Sequence, residues 1–301
     1  MENNSFSVII PACDRPVELE ACLKALSIQD YPREKIQIIV VDDGPLKQSA
    51  TVCERAPVKI EYISQKPAGP AAARNLGLTK ACNEIILFLG DDVIACENLL
   101  SEHNRLHSIN HKKNAGFLGY TTWSKDIPVT HFMRWLEESG VQFDYGSLKA
   151  GEKTDFWHFY TCNVSIKADF LREKNIFFNE KFQFAAYEDT EFGWRLEKEG
   201  FELYYGASAC SFHMHRITTV GYALRMYRAG KSAPLLESVI GKPRKKTFGF
   251  FMLIYKAVKA CFYFSFAWLI EKRFYSHKIF AGLTENFYAI GYFFADRLGD
   301  K

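Results

Sequence analysis

The sequence predicts an α/β fold: an open, mostly parallel sheet flanked by helices, with a helical, aromatic and basic C-terminal extension. Three observations lead there. Short β-branched runs alternate with helical patterns over about the first ninety residues, the pattern of an open sheet with right-handed crossovers. The runs are too apolar to have one wet face, as expected of strands covered on both sides. A distinct segment rich in aromatic and basic residues closes the chain.

Phe6–Pro11 reads as the first strand and Pro16–Ile28 as a helix. Ile36–Val41 (IQIIVV) is a second strand ending at Asp42-Asp43-Gly44. Val58–Ile63 reads as a third strand, Gly69–Ala81 as a helix, and Glu84–Leu89 as a fourth strand ending at Gly90-Asp91-Asp92. Residues 100–180 are less regular, with a helical stretch near Glu97–Asn110, a strand-like Ala115–Thr121 and an aromatic cluster at Phe156–Tyr160. Asp189–Glu199 is helical and closed by Gly200, and a strand-like Glu202–Tyr205 follows.

The 301 residues allow one large domain or a domain with an appendage. Apolar residues make up 48% and charged residues 24%, which excludes disordered and collagen-like classes. A net charge of +3 is too small to suggest nucleic-acid binding. That charge is uneven: residues 242–301 hold eleven Lys or Arg against four Asp or Glu, and residues 1–241 hold 27 against 31. The natural boundary falls at Lys242-Pro243-Arg244-Lys245-Lys246, giving a main domain 1–241 and an extension 242–301. Eight scattered cysteines with no C-x-x-C pair, and a polar start leading straight into a strand, predict a cytosolic protein.

Ligands of such sheets bind at the carboxyl ends of the strands. Here those ends carry Asp14, Asp42, Asp43, Asp91 and Asp92. Asp-Asp-Gly alone is also ordinary turn chemistry. Two strands that both deliver an acidic pair to one edge point instead to a divalent cation, Mg²⁺ or Mn²⁺, held by carboxylate and by substrate phosphates.

The ordered segments SVIIPACDRP, IIVVDDG, GPAAARNLGL, ILFLGDDV and YEDTEFGWRL resemble the family 2 glycosyltransferases of the GT-A (Rossmann-like) fold, over roughly Ser7 to Tyr227. The resemblance implies a donor half of about residues 1–115 and an acceptor half of about 116–241. It implies that Pro11, Ala12 and Asp14 line the nucleobase pocket, that Asp43 bonds the base, and that Arg74 lies near the nucleotide. Asp91 would face the ribose, Asp92 would hold the metal, and Asn163 would lie under the donor sugar. His213 would complete the metal shell, with His215 as the lesser candidate. Asp189 would be the catalytic base of an inverting transfer, with Glu188, Glu191 and Trp157 as acceptor or positioning residues. Two positions depart from the family pattern. Gly90 replaces the commonest first acid, and Cys13 stands where an aromatic often stacks on uracil, so UDP is favoured without being required.

The expected function is transfer of a hexosyl or N-acetylhexosaminyl group from a nucleotide sugar to a growing glycan or lipid-linked acceptor in cell-surface polysaccharide or glycoconjugate synthesis. The alternatives are an inactive nucleotide-sugar-binding module and a polysaccharide synthase subunit. Within the extension, residues 247–270 carry only Lys256 and Lys259 as charges. Two mid-segment lysines argue against a spanning helix, and the flanking basic residues favour an interfacial helix at the inner face of the cytoplasmic membrane. A helix packed on protein is the other reading.

Overall fold

The computed structural model describes residues 3–242, 249–271, 273 and 275–298. Pro243–Lys246 of the basic boundary, and Lys272 of the second basic flank, lie outside the described residues.

The chain forms two compact units. The first comprises residues 1–127, 147–183 and 188–215; the second comprises 128–146, 184–187 and 216–301. The division therefore follows His215 rather than residue 241, because the helix after His215 packs with the C-terminal helices.

The first unit is the α/β body. In order it contains β1 (Phe6–Ala12), α1 (Pro16–Ser27), β2 (Ile36–Asp42), α2 (Ser49–Arg55), β3 (Ile60–Ser64), α3 (Pro70–Lys80), β4 (Ile85–Leu89), β5 (Val93–Ala95), α4 (Leu99–Ile109) and β6 (Ala115–Trp123). After α5 (His131–Glu138), which belongs to the second unit, come β7 (Lys153–Thr154), β8 (Asn163–Lys167), α6 (Ala168–Lys174), α7 (Glu188–Lys198) and β9 (Glu202–His213). The sheet runs β3-β2-β1-β4-β8-β6-β9-β5, with β7 paired to β9.

The first four strands are parallel, so the ends of β1, β2 and β4 open onto one edge. Beyond β4 the sheet is mixed: β8 runs antiparallel to both β4 and β6, while β6 and β9 are parallel. The predicted strands and helices of the first ninety residues are present to within two residues at their ends. Sequence reading missed β5 and β8, which are short and follow irregular segments. The core on one face of the sheet joins Val8, Ile10, Val40 and Leu87 to Leu19, Leu23 and Leu26 of α1. Burying such side chains contributes about 1.5–3 kcal/mol each relative to exposure.

The second unit is helical: α5, α8 (Thr219–Val239), α9 (Phe250–Ile270) and α10 (His277–Leu298). Phe132 and Trp135 of α5 pack against Phe280, Phe132 also meets Tyr222, and the Trp135 indole donates to His277 Nδ1 at 2.9 Å. Helices α8 and α10 approach backbone to backbone. A Cβ on Gly230 would collide with the Tyr288 carbonyl, and one on Gly291 with the Tyr227 carbonyl. Tyr292 donates to Glu237 Oε2 at 2.5 Å. Thr219 donates through both its backbone N–H and its hydroxyl to Glu271 Oε2, at 3.1 and 2.8 Å, so the start of α8 is tied to the end of α9.

Candidate active site

Three loops at the carboxyl edge of the parallel strands form the site. After β1 the chain turns through Asp14, whose φ of 50° lies in the left-handed region that Asp tolerates. Asp14 Oδ1 accepts from Leu46 N at 3.1 Å, joining the loops after β1 and β2. Cys13 N donates to Asp91 Oδ2 at 3.2 Å, joining the loops after β1 and β4.

Asp91 is 1% exposed and Asp92 is mostly buried, so their mutual repulsion needs compensation. Arg15, at the N-terminus of α1, supplies it. Its Nη2 lies 2.5 Å from Asp91 Oδ1, its Nε donates to Asp91 Oδ2 at 3.2 Å, and its Nη1 reaches Asp92 Oδ2 at 2.7 Å. On the other side, His213 Nδ1 stands 3.7 Å from Asp92 Oδ1. Register places it there, because His213 ends β9 opposite Val93, the residue after Asp92. Burial pushes the Asp91 carboxyl up, with Arg15 drawing it back in part. Against burial, Arg15 and His213 hold Asp92 below the usual carboxylate range. Burial would lower His213, but Asp92 and Cys162 raise it to about 9.

Asp43 serves the loop after β3. Its Oδ1 accepts from Gln65 Nε2 and Ala68 N, both at 2.7 Å, and its Oδ2 from Gly69 N at 2.9 Å. Gly69 has φ of 93° and lies so close to the Gln183 carbonyl that a side chain there would clash as well as strain the backbone. Asp42 is fully buried, accepting from Gly44 N and the Tyr62 hydroxyl.

Arg74, expected at the nucleotide, is buried on α3 and pairs with Glu188 at 3.0 Å. It joins α3 to the first turn of α7, next to Asp189. Burial and the neighbouring Asp189 raise Glu188 despite Arg74. Asp189 is part-exposed, and its Oδ1 accepts from Thr190 N at 2.7 Å. Tyr187, immediately before this turn, holds a left-handed φ of 71°, a strained conformation for a bulky side chain. Glu191 makes a bidentate pair with Arg195 at 2.8 and 2.9 Å, which fixes α7 internally. Trp157 stands 40% exposed on a short 3-10 turn packed on α7.

Asn163 is not at the open edge. It is fully buried, its Nδ2 donating to Ala209 O at 3.0 Å and Ser211 Oγ at 3.1 Å, and its Oδ1 facing His103 Nε2 at 2.9 Å. Its position on β8, paired with Leu89, puts it beneath the acid pair as support. His215 is exposed, with Nδ1 4.0 Å from Glu18 Oε1. Pro11 and Ala12 close β1 at the edge, part-exposed and buried respectively. The group that sequence reading missed is Arg15. The R-P step after Cys13-Asp14 was visible, but only the fold places it across both acids.

The fold is that of the GT-A glycosyltransferases. Its structural relatives include the mannosyltransferase PcManGT of Pyrobaculum calidifontis, solved with GDP-Man and Mn²⁺ (TM-score 0.66, 15% identity, 100% of this chain and 89% of that one). A Staphylococcus aureus TarS fragment solved with UDP aligns at TM-score 0.57 and 14% identity, over 99% and 93% of the two chains. Residues 7–117 match the model described as Glycosyl transferase family 2. Curated relatives include the poly(ribitol-phosphate) beta-N-acetylglucosaminyltransferase TarS of S. aureus, 31% identical over 31% of this chain and 17% of its own length. Validoxylamine A glucosyltransferase of Streptomyces hygroscopicus is 27% identical over 66% of this chain and 52% of its own. An uncharacterised glycosyltransferase of Rickettsia conorii is 29% identical over 37% and 21%. The chain thus spans about a fifth or less of the length of the TarS and Rickettsia relatives and about half of the Streptomyces enzyme.

Proposed function

We propose that this chain transfers a hexosyl or N-acetylhexosaminyl group, with inversion, from a nucleoside-diphosphate sugar to a hydroxyl of a growing glycan or lipid-linked acceptor in cell-surface glycan synthesis. The observation that carries the reading is the Asp91–Asp92 pair at the end of β4, flanked by Arg15 and His213 at the edge where open α/β sheets take ligands. Among the structural relatives, TarS is solved with UDP-GlcNAc and PcManGT with GDP-Man and Mn²⁺, which supports a nucleotide-sugar donor, with a UDP-sugar the first to test.

Asp92, with His213, is the candidate metal donor set. Among the described residues no group of three or more His, Cys, Asp or Glu could hold a metal ion by itself. A carboxylate and an imidazole that would give up its ring proton fit a cation whose remaining positions are filled by diphosphate oxygens. Bound there, Mg²⁺ or Mn²⁺ would offset the charge developing on the leaving diphosphate.

Asp189 takes the proton of the acceptor hydroxyl as that oxygen bonds to the anomeric carbon. The bond from that carbon to the diphosphate oxygen breaks, and the nucleoside diphosphate leaves with the electron pair. The Arg74–Glu188 pair holds the turn that carries Asp189. Asp43 keeps the loop after β3 in place beside the nucleotide.

Membrane association belongs to the same reading. Helix α9 leaves Phe251 87%, Val258 64%, Phe262 54% and Trp268 63% exposed, and Phe251–Leu269 is long and apolar enough to cross a membrane. With Lys256 and Lys259 near its middle and a net +7 in residues 242–301, we read it as lying on an acidic leaflet. The corresponding location is the inner face of the cytoplasmic membrane.

Calorimetry with UDP and with GDP, each with Mn²⁺ or a chelator, tests the donor site on the wild type and on Asp92→Ala. Metal-dependent binding lost in the variant is expected. Equal binding in every condition would retire the role given to Asp92. For the membrane, the full chain carrying Val258→Glu and Phe262→Glu should float less with phosphatidylglycerol vesicles than the wild type. Equal flotation would refute that surface.

A further inference from the structure

We propose that Arg15 couples metal entry to donor binding: its guanidinium occupies Asp92 in the free protein and moves to the diphosphate of the incoming nucleotide, freeing the carboxylate for the divalent cation. The inference rests on the donor-site reading given above.

The geometry is specific. Arg15 is the cation bonded to both acids, reaching Asp91 with Nε and Nη2 and Asp92 with Nη1, at 2.5–3.2 Å. The Asp92 oxygen it holds, Oδ2, is not the one that faces His213. A divalent cation arriving alone would share one carboxylate with a guanidinium, and the two positive charges would repel at close range in a poorly screened site. Displacing Arg15 with nothing to receive it would strand a charged group beside a buried acid pair.

A diphosphate removes both obstacles. It adds negative charge beside the cation, and its oxygens accept the two-pronged donation that a guanidinium offers. Arg15 has room to make the exchange, since its side chain is 35% exposed whereas Asp91 is 1% exposed. Burial and its bond from Cys13 N keep Asp91 in place while Arg15 moves. The other titratable groups facing Arg15 are Glu18, on its own helix, Cys13 and His215, which burial holds toward the neutral form. None of them bridges the two acids. Arg15 is therefore a positioning residue that sets the order of binding. By linkage, the nucleotide tightens the metal by the same factor that the metal tightens the nucleotide.

The test is Mn²⁺ binding to the full chain, followed by the loss of the free-ion electron paramagnetic resonance signal. It is run with no nucleotide, with UDP and with GDP, on wild type, Arg15→Gln and Arg15→Lys. The wild type is expected to bind Mn²⁺ weakly alone and roughly tenfold or more tightly with a nucleoside diphosphate, within the usual range of coupling between sites. Arg15→Gln should bind Mn²⁺ alone about tenfold more tightly than the wild type and lose most of the coupling. Arg15→Lys keeps the charge without the fork and should fall between them, which retains a folded test should the glutamine variant fail to fold. Equal nucleotide-free Mn²⁺ affinity in Arg15→Lys and wild type, or in Arg15→Gln and wild type, overturns the role of Arg15 and leaves the donor site standing. A wild type that takes up no Mn²⁺ with either nucleotide overturns the donor-site reading and this proposal together.

Discussion

Lowering the pH tests the buried imidazoles that support the site from below. His103 and His107 on α4 are both buried, and they join a chain of hydrogen bonds to β8. The Asn163 carbonyl can only accept, so His103 carries its proton on Nε2 and donates across 2.9 Å. His103 Nδ1 then accepts from the Ser165 hydroxyl at 2.8 Å, and His107 Nε2 must donate to Ser165 Oγ at 2.9 Å. This pattern requires a neutral His103, whose Nδ1 must accept, while His107 donates through Nε2 in either state and is kept neutral by burial. Burial accordingly lowers His103 to about 4 and His107 well below its usual value. For a group whose folded value is depressed, the stability it contributes is complete above the unfolded value near 6.5 and is lost as pH falls toward the folded value. Between pH 7.5 and 5 His103 should remove about 2 kcal/mol, with His107 acting in the same direction. That is a measurable part of a typical domain's 5–15 kcal/mol. Urea unfolding at half-unit steps from pH 7.5 to 5 measures the slope. His103→Gln, which cannot take up this proton, should reduce the slope by about one proton relative to wild type. An identical slope in the two proteins, or a His103 ring titrating at 6 or above by NMR in the folded state, would refute the reasoning.

Three further outcomes are expected. Asp189→Asn should lower kcat by about 10²–10⁴ while leaving nucleotide affinity within about twofold, the signature of a lost general base; calorimetry and initial rates separate the two. Arg195→Met leaves Glu191, 1% exposed, without its bidentate partner, and should destabilise the protein by about 3 kcal/mol in denaturant unfolding. Gly291→Ala forces α10 away from the Tyr227 carbonyl of α8 and should cost about 1–3 kcal/mol, measured as a lower Tm, whereas Gly151→Ala, with open space around its Cβ position but a φ of 81°, should lose only the smaller backbone-strain energy.

Much of the candidate site's edge was legible in the chain because it depends on local rules. Apolar runs of five to seven residues between helical patterns predict buried parallel strands, and the acids that end them must lie at one edge once the strands are parallel. Asp91 and Asp92 are placed at that edge by this reasoning, whereas Asp189, in the first turn of α7, was singled out through the family resemblance. The C-terminal helices were visible as long, aromatic, lysine-bearing segments, and α9 does present them to the outside.

The roles of Arg15, Arg74 and Asn163 were not legible, and the reason is shared. A charged or amide side chain is placed by whichever partners the fold brings within about 3 Å, and those partners are remote in sequence. Arg15 finds acids 76 and 77 residues away, Arg74 a glutamate 114 away, and Asn163 a histidine 60 away. The boundary of the α/β unit is a similar case, since α8 joins the C-terminal helices through glycines at which two backbones meet, a packing that residue type alone does not announce. The first four strands, their common edge and the acids there were readable from the chain, because apolarity and turn chemistry act within a few residues. Tertiary structure alone decided which of those acids are held by arginine and which polar groups stay buried. Those choices depend on desolvation and on partners assembled only when the sheet closes.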